Sequence, residues 1–181
     1  MSRIAIPSVS TAPEASKATL DAINKQLGTV PNLFRLIALS PATLSAYTGF
    51  QRALSSSLDA KTRERIALAV AQVNGCDYCL SAHTYLGLNL VKLSPEEIVL
   101  NRRGTSGDAR AQAAVSFAAK VARERGHVSD ADIASVRDAG YSDAQIIEIV
   151  GLVAENSFTN YLNEVARTDI DFPEVRASAA A

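Results

Sequence analysis

Cys76 and Cys79 are the only cysteines of the chain. They stand as C-x-x-C, and His83 follows the second by four residues. Asn74-Gly75 precedes them, a pair that tolerates the left-handed backbone that ends helices, so the cysteines open a new helix. A thiol there meets the positive end of the helix macrodipole and unpaired backbone N–H groups. Both favour thiolate over thiol, and C-x-x-C thiols have pKa values of about 3.5–7.5 against about 8.5 for free cysteine. Residues three apart on one turn can approach closely enough for a disulfide, so one sulfur can attack and the other resolve. His83 lies one turn beyond Cys79 on the same face. That makes Cys79 its partner, and the imidazole can take the thiol proton or stabilise the thiolate. Glu64 lies twelve residues before Cys76, on the preceding helix. Only packing can bring it beside His83, where a carboxylate would orient the ring.

Each of these residues also has a plainer reading. Buried cysteines can act as small hydrophobes. Cys76, Cys79 and His83 could hold zinc with Glu64 or water as the fourth ligand, although no second C-x-x-C exists and the other histidine, His127, reads as a surface loop residue. No metal or cofactor is expected. Glu64, among Lys61, Arg63 and Arg65, equally suits a solvated helix start. Tyr78 suggests packing. Asn156, Asn160 and Asn163 read as the wet face of the last helix.

The elements that must position these groups read as helices throughout. Thr11-Ala-Pro-Glu14, Ser94-Pro-Glu-Glu97, Ser129-Asp-Ala-Asp132 and Ser142-Asp-Ala-Gln145 have capping-box spacing. Leu33–Leu39 forms a short apolar helix stopped by Ser40-Pro41. Leu44, Tyr47, Phe50 and Leu54 mark one face of the next. Asp59 caps Lys61–Val73, whose run Ile66-Ala-Leu-Ala-Val-Ala71 is apolar nearly all round and belongs in the middle of the domain. Cys76–Leu90, a helix ending near Arg102, Asp108–Arg125 and Asp143 to about Ala166 follow. No segment alternates long enough for a strand. The expected fold is all-α with eight or so helices in a single domain over 1–181. It divides into an N-terminal extension (1–30), a core (about 31–90), C-terminal helices (about 94–168) and a frayed tail (174–181).

The chain has 181 residues, 48% hydrophobic and 20% charged, with a formal net charge of −1. A nearly neutral protein gives no electrostatic reason to expect nucleic acid or an anionic membrane as partner. No run approaches the roughly 18 apolar residues that span a bilayer, and Met1-Ser-Arg-Ile-Ala-Ile-Pro7 does not read as a signal peptide. The expected location is the cytoplasm, where thiols stay reduced.

Glu64 followed by Asn74-Gly-Cys-Asp-Tyr-Cys-Leu-Ser-Ala-His83 resembles the core signature of the alkylhydroperoxidase D-like proteins, which share a fold with the carboxymuconolactone decarboxylases. Gly28-Thr-Val-Pro-Asn-Leu-Phe34, Ser40-Pro41, Asn160-Tyr-Leu-Asn163 and Asp169-Ile-Asp-Phe-Pro173 resemble its peroxidase-related branch. The resemblance implies a cysteine-based hydroperoxide reductase. Cys79 would attack the peroxide and become a sulfenic acid, Cys76 would resolve it to a disulfide, and an electron-donor protein would reduce the disulfide. Glu64 and His83 would form the proton relay, and the chain would assemble as a homo-oligomer, a trimer or hexamer. The best-studied members carry a second histidine between the cysteines, where this chain has Tyr78. The decarboxylase relatives lack the cysteine pair. The residues alone leave two other functions open: a thiol–disulfide oxidoreductase or redox adaptor that never meets peroxide, and a non-enzymatic oligomeric or zinc-binding protein.

Overall fold

Helix boundaries follow the residues that can satisfy free backbone N–H groups at a helix start. The structure is a computed structural model describing residues 2–177. Among these residues it contains nine α-helices and no strand: α1 (Glu14–Leu27), α2 (Asn32–Ile37), α3 (Pro41–Leu54), α4 (Ala60–Asn74), α5 (Asp77–Asn89), α6 (Pro95–Arg102), α7 (Ala109–Arg123), α8 (Asp130–Asp138) and α9 (Asp143–Ala166). Ser40, Asp59, Ser94, Asp108, Ser129 and Ser142 each accept a hydrogen bond from the backbone N–H three residues on. Reciprocal capping boxes form at Ser129/Asp132 and Ser142/Gln145.

Two expected caps differ. Thr11 does not cap α1, which starts after Pro13 without a side-chain cap. The Thr11 hydroxyl instead accepts from the Ser8 N–H at 3.0 Å, because such short side chains bond readily to nearby backbone in turns. At Ser94 only half of the box forms. The Glu97 carboxylate turns away to Arg65 Nε at 2.8 Å and to the Gly107 N–H at 2.9 Å, tying α4 and the loop before α7 to α6.

α4 is central, as its composition dictates. Ile66 through Ala71 are all buried, and the helix packs against α5, α6, α7 and α9. Leu68 and Ala71 face a core shared with α1–α3 and α5, while Ile66 and Val70 face one shared with α7–α9. Burying each such aliphatic side chain contributes roughly 1.5–3 kcal/mol. α6 supports α5 from outside, with Ile98 Cδ1 only 2.8 Å from where a Cβ on Gly87 would sit. A β-carbon there would require the end of the Ile98 side chain to shift.

After α9, residues 167–177 cross back over the start of α5. Asp171 accepts hydrogen bonds from the Asn32 N–H and the Tyr78 hydroxyl, both at 2.8 Å. Phe172 packs on Tyr78 and Tyr85, with ring centroids 5.9 Å apart in each case. The Val175 N–H donates to Ser81 Oγ at 2.8 Å and the Ala177 N–H to Asp77 Oδ1 at 2.7 Å. Residues 174–177 are thus tied down by backbone hydrogen bonds where fraying was expected, and 178–181 lie outside the described residues. No helix among the described residues is long and apolar enough to cross a membrane.

Neighbouring positions on α6 test this packing. Ile98 is 5% exposed and Val99 46%. Ile98→Ala is expected to cost about 2–5 kcal/mol of unfolding free energy, and Val99→Ala no more than about 0.5 kcal/mol. Urea unfolding measures both, and equal losses would contradict the assignment.

Candidate functional site

The turn between α4 and α5 brings the cysteines into position. Gly75 ends α4 in the left-handed conformation (φ 69°), and Cys76 becomes the N-cap of α5. Its sulfur plays the part usually taken by serine or aspartate, accepting the Cys79 N–H at 3.4 Å. Both cysteines are free thiols and buried. Cys79 lies within the first turn, where backbone dipoles favour an anion.

Across the helix pair, packing does bring Glu64 beside His83. The His83 Nδ1 lies 2.9 Å from Glu64 Oε2, and both side chains keep about a fifth of their surface exposed. Burial pulls the His83 pKa down. The Glu64 carboxylate, by charge and hydrogen bond, outweighs that with help from Cys79 and Glu155, lifting it to about 9. At neutral pH the ring is an imidazolium.

The cysteines split in character. The Cys79 pKa falls to about 6: its hydrogen bond from the Cys76 thiol is the largest cause, opposed by burial and reinforced by the His83 charge and by Asn163 and Asn160. Cys76 is pushed far the other way, first because it gives its proton to that hydrogen bond and then by burial. The pair therefore holds one thiolate on Cys79 and one proton on Cys76, with an imidazolium beside them. In this resting state His83 serves as the counter-charge of the thiolate more than as its base.

Asn160 and Asn163 were expected on the wet face of α9, and the structure corrects this. Both are buried. The Asn163 Nδ2 donates to Cys79 Sγ at 3.3 Å. Asn160 accepts from Asn74 Nδ2 at 2.9 Å, its buried amide nitrogen has no hydrogen-bond partner among the described residues, and it helps to lower the Cys79 pKa. Asn156 is buried as well and bonds to the Leu152 carbonyl of its own helix. Their spacing on an apolar helix was the available signal; its direction was not. Tyr78 is buried packing, its hydroxyl joining Asp171 to the Leu33 N–H. His127 lies on the exposed loop after α7.

Cys79 and His83 open onto a cavity of about 240 Å³, walled also by Tyr47, Gln51, Phe34 and Phe172. Aromatic rings and aliphatic groups dominate its lining, with a few polar groups converging near the sulfur, the usual make-up of a small-molecule site. A larger depression of about 380 Å³ between α7 and α8 holds the Lys120–Asp132 ion pair and neither a cysteine nor a histidine, so the chemistry points to the smaller one. Among the described residues no three His, Cys, Asp or Glu side chains converge as a metal-binding group.

Comparison with known proteins agrees with the fold. Residues 41–124 match the carboxymuconolactone decarboxylase family, a span that includes Glu64, Cys76, Cys79 and His83. The fold is similar to that of an uncharacterized peroxidase-related protein with an alkylhydroperoxidase AhpD core from Ralstonia eutropha JMP134. That pair is 24% identical, with 94% of this chain and 92% of the other covered and a TM-score of 0.84. An uncharacterized peroxidase-related protein from Silicibacter sp. TM1040 is 26% identical, with coverages of 93% and 91% and a TM-score of 0.79. A debrominase has the same fold at 19% identity, with coverages of 94% and 91% and a TM-score of 0.77. An uncharacterized protein of Haemophilus influenzae is 53% identical over 45 residues, which span 24% of this chain and 40% of that protein.

Alkylation by iodoacetamide tests the electrostatics. The rate at Cys79 is expected to rise with pH with a midpoint near 6, because the thiolate is the reacting form and the folded pKa of Cys79 is about 6. His83→Gln removes the counter-charge and should move the midpoint upward, while Cys76 stays unreactive. A midpoint near that of a free thiol in the parent would contradict the thiolate assignment.

Proposed function

The chain belongs to the alkylhydroperoxidase D-like and carboxymuconolactone decarboxylase-like family, and on that premise we propose that it is a cysteine-based hydroperoxide reductase. One observation carries the reading: Cys79, held as thiolate by the Cys76 thiol and the Glu64-anchored His83, faces a cavity large enough for a small substrate. A thiolate is the nucleophile that peroxide reduction needs.

In the proposed reaction the Cys79 thiolate attacks the terminal oxygen of a hydroperoxide. The S–O bond forms as the O–O bond breaks, sulfur is oxidised by two electrons, and the remaining oxygen leaves as an alcohol once protonated. Cys76 then attacks the sulfenic sulfur, water departs, and a Cys76–Cys79 disulfide results. A thiol electron-donor protein returns both cysteines to the reduced state. Glu64 orients His83, and the His83 imidazolium, holding the proton that Cys79 gives up, stabilises the thiolate. Tyr78, where the best-studied members have a second histidine, leaves His83 as the imidazole of the relay. The proposed location is the cytoplasm.

The alternative, a thiol–disulfide oxidoreductase, would use the same sulfurs without peroxide. Peroxide consumption with a dithiol reductant separates the two. Cys79→Ser is expected to abolish consumption, and Glu64→Gln and His83→Gln to slow it by about 10²–10⁴-fold, the usual size of a general acid–base contribution. A Cys79→Ser protein that consumes peroxide at the parent rate would sink the proposal.

Homo-oligomer assembly, a trimer or hexamer, is proposed through the outward face of α9. There Ile147, Phe158, Tyr161 and Val165 are exposed at helical spacing, an apolar stripe that a second copy of the chain would cover. Ile147→Glu with Tyr161→Glu is expected to yield monomers in light scattering; an unchanged mass would place the contact elsewhere.

A further inference from the structure

The proposed reaction uses Glu64, Cys76, Cys79 and His83, yet a second buried polar cluster reaches the same cavity. It consists of Tyr47 and Gln51 on α3 and Glu155 on α9. Sequence periodicity marks Tyr47 as a core residue, and its ring is one, packed between Phe34 at 6.0 Å and Phe158 at 5.7 Å between centroids. Its hydroxyl is a different matter. Gln51 Nε2 donates to it at 3.2 Å, and the Glu155 carboxyl acts on it by charge. Tyr47 and Gln51 line the cavity with Cys79 and His83.

Glu155 is buried, and a buried carboxyl is costly to ionise without a close partner. The groups that act on it are His83, Gln51, Glu64, Arg63 and Tyr47. Burial leads, with Glu64 adding to it, and the carboxyl is held above its usual range. Tyr47 is likewise kept protonated, by burial first and then by the charges of Glu155 and Cys79. A neutral hydroxyl thus stands in the wall of the cavity with a buried carboxyl behind it. Packing alone explains the ring and leaves the buried carboxyl behind it without a use.

Resting on the peroxidase reading, we propose that Tyr47 is the general acid of peroxide reduction, donating its proton to the oxygen that leaves when Cys79 takes the terminal one. The thiolate sulfur bonds to the terminal oxygen, which keeps its hydrogen as the sulfenic acid. The O–O electron pair departs on the substrate's other oxygen, and the Tyr47 proton converts that oxygen to an alcohol. The His83 imidazolium, which holds the proton that Cys79 lost, then restores the Tyr47 proton by way of Glu155. Charge and protons therefore balance within the site. Gln51 and Glu155 are positioning residues, and Tyr47 is the group that meets substrate.

Leaving-group dependence tests this with the reduced full-length protein in single turnover, timed by loss of free thiol. An alkoxide from tert-butyl hydroperoxide needs a proton, whereas the carboxylate from peracetic acid does not. Tyr47→Phe is expected to slow the first reaction by about 100-fold, the lower end of a general-acid contribution. With peracetic acid the loss should stay within about threefold of the parent, on the same principle that no proton is required. Glu155→Gln should show the same selective loss with Tyr47 in place. Iodoacetamide alkylation of Cys79 in Tyr47→Phe checks that the thiolate and the fold are intact. Equal losses with both oxidants, or none with either, would overturn the assignment of Tyr47 while leaving the peroxidase reading standing. A parent protein that reduces neither oxidant would remove both.

Discussion

The reversal of the chain at Gly75 is the constraint on which the site depends. A left-handed residue there stops α4 and swings the next residue into the N-cap of α5, and a β-carbon at this φ would be strained. Because Cys76 takes the cap, Cys79 falls at the third helical position, close enough for its N–H to reach the Cys76 sulfur. The same reversal lays α5 against α4 so that two residues nineteen apart in sequence, Glu64 and His83, meet at 2.9 Å. Backbone geometry at one residue thereby sets both the thiol pair and the pair that governs its protonation.

Electrostatics then divides the labour between two chemically identical thiols. Cys76 keeps its proton and lends it as a hydrogen bond, while Cys79 carries the charge. The difference comes from surroundings: a helix start, an imidazolium anchored by a carboxylate, and asparagine amides from α9. The strap of residues 167–177 adds restraint from outside, since Tyr78 between the cysteines is bonded to Asp171. In this chain the position between the sulfurs joins the fold's closing segment to the site.

Much of this was legible in the residues, for physical reasons that can be stated. Capping side chains act within three positions, so helix starts could be read locally. The exceptions were Thr11, drawn into a turn with Ser8, and Ser94, whose partner Glu97 found better donors in Arg65 and the loop at Gly107. Cys76, Cys79 and His83 follow one another over the first two turns of one helix, and their relation followed from helical spacing. Glu64 came through family resemblance, because no spacing rule says which residue of one helix meets another. Asn160, Asn163, Tyr47 and Glu155 were beyond reach for the same reason: they arrive from α3 and α9. A polar residue on an apolar helix faces either water or a pocket, and only packing decides. The anchored residues 174–177 were equally hidden, since their hydrogen bonds go to Asp77 and Ser81, far away along the chain.

A fold does not fix a chemistry, as the likeness to both peroxidase-related proteins and a debrominase illustrates. The central claim rests on a sulfur, and it can be tested at that sulfur. Reduced protein is exposed briefly to one equivalent of an alkyl hydroperoxide in the presence of dimedone, and the adduct is located by peptide mass in the parent and in Cys76→Ser. The account predicts a dimedone adduct confined to Cys79, accumulating in Cys76→Ser and giving way to a Cys76–Cys79 disulfide in the parent. An adduct on Cys76, or no peroxide-dependent adduct in either protein, would contradict it.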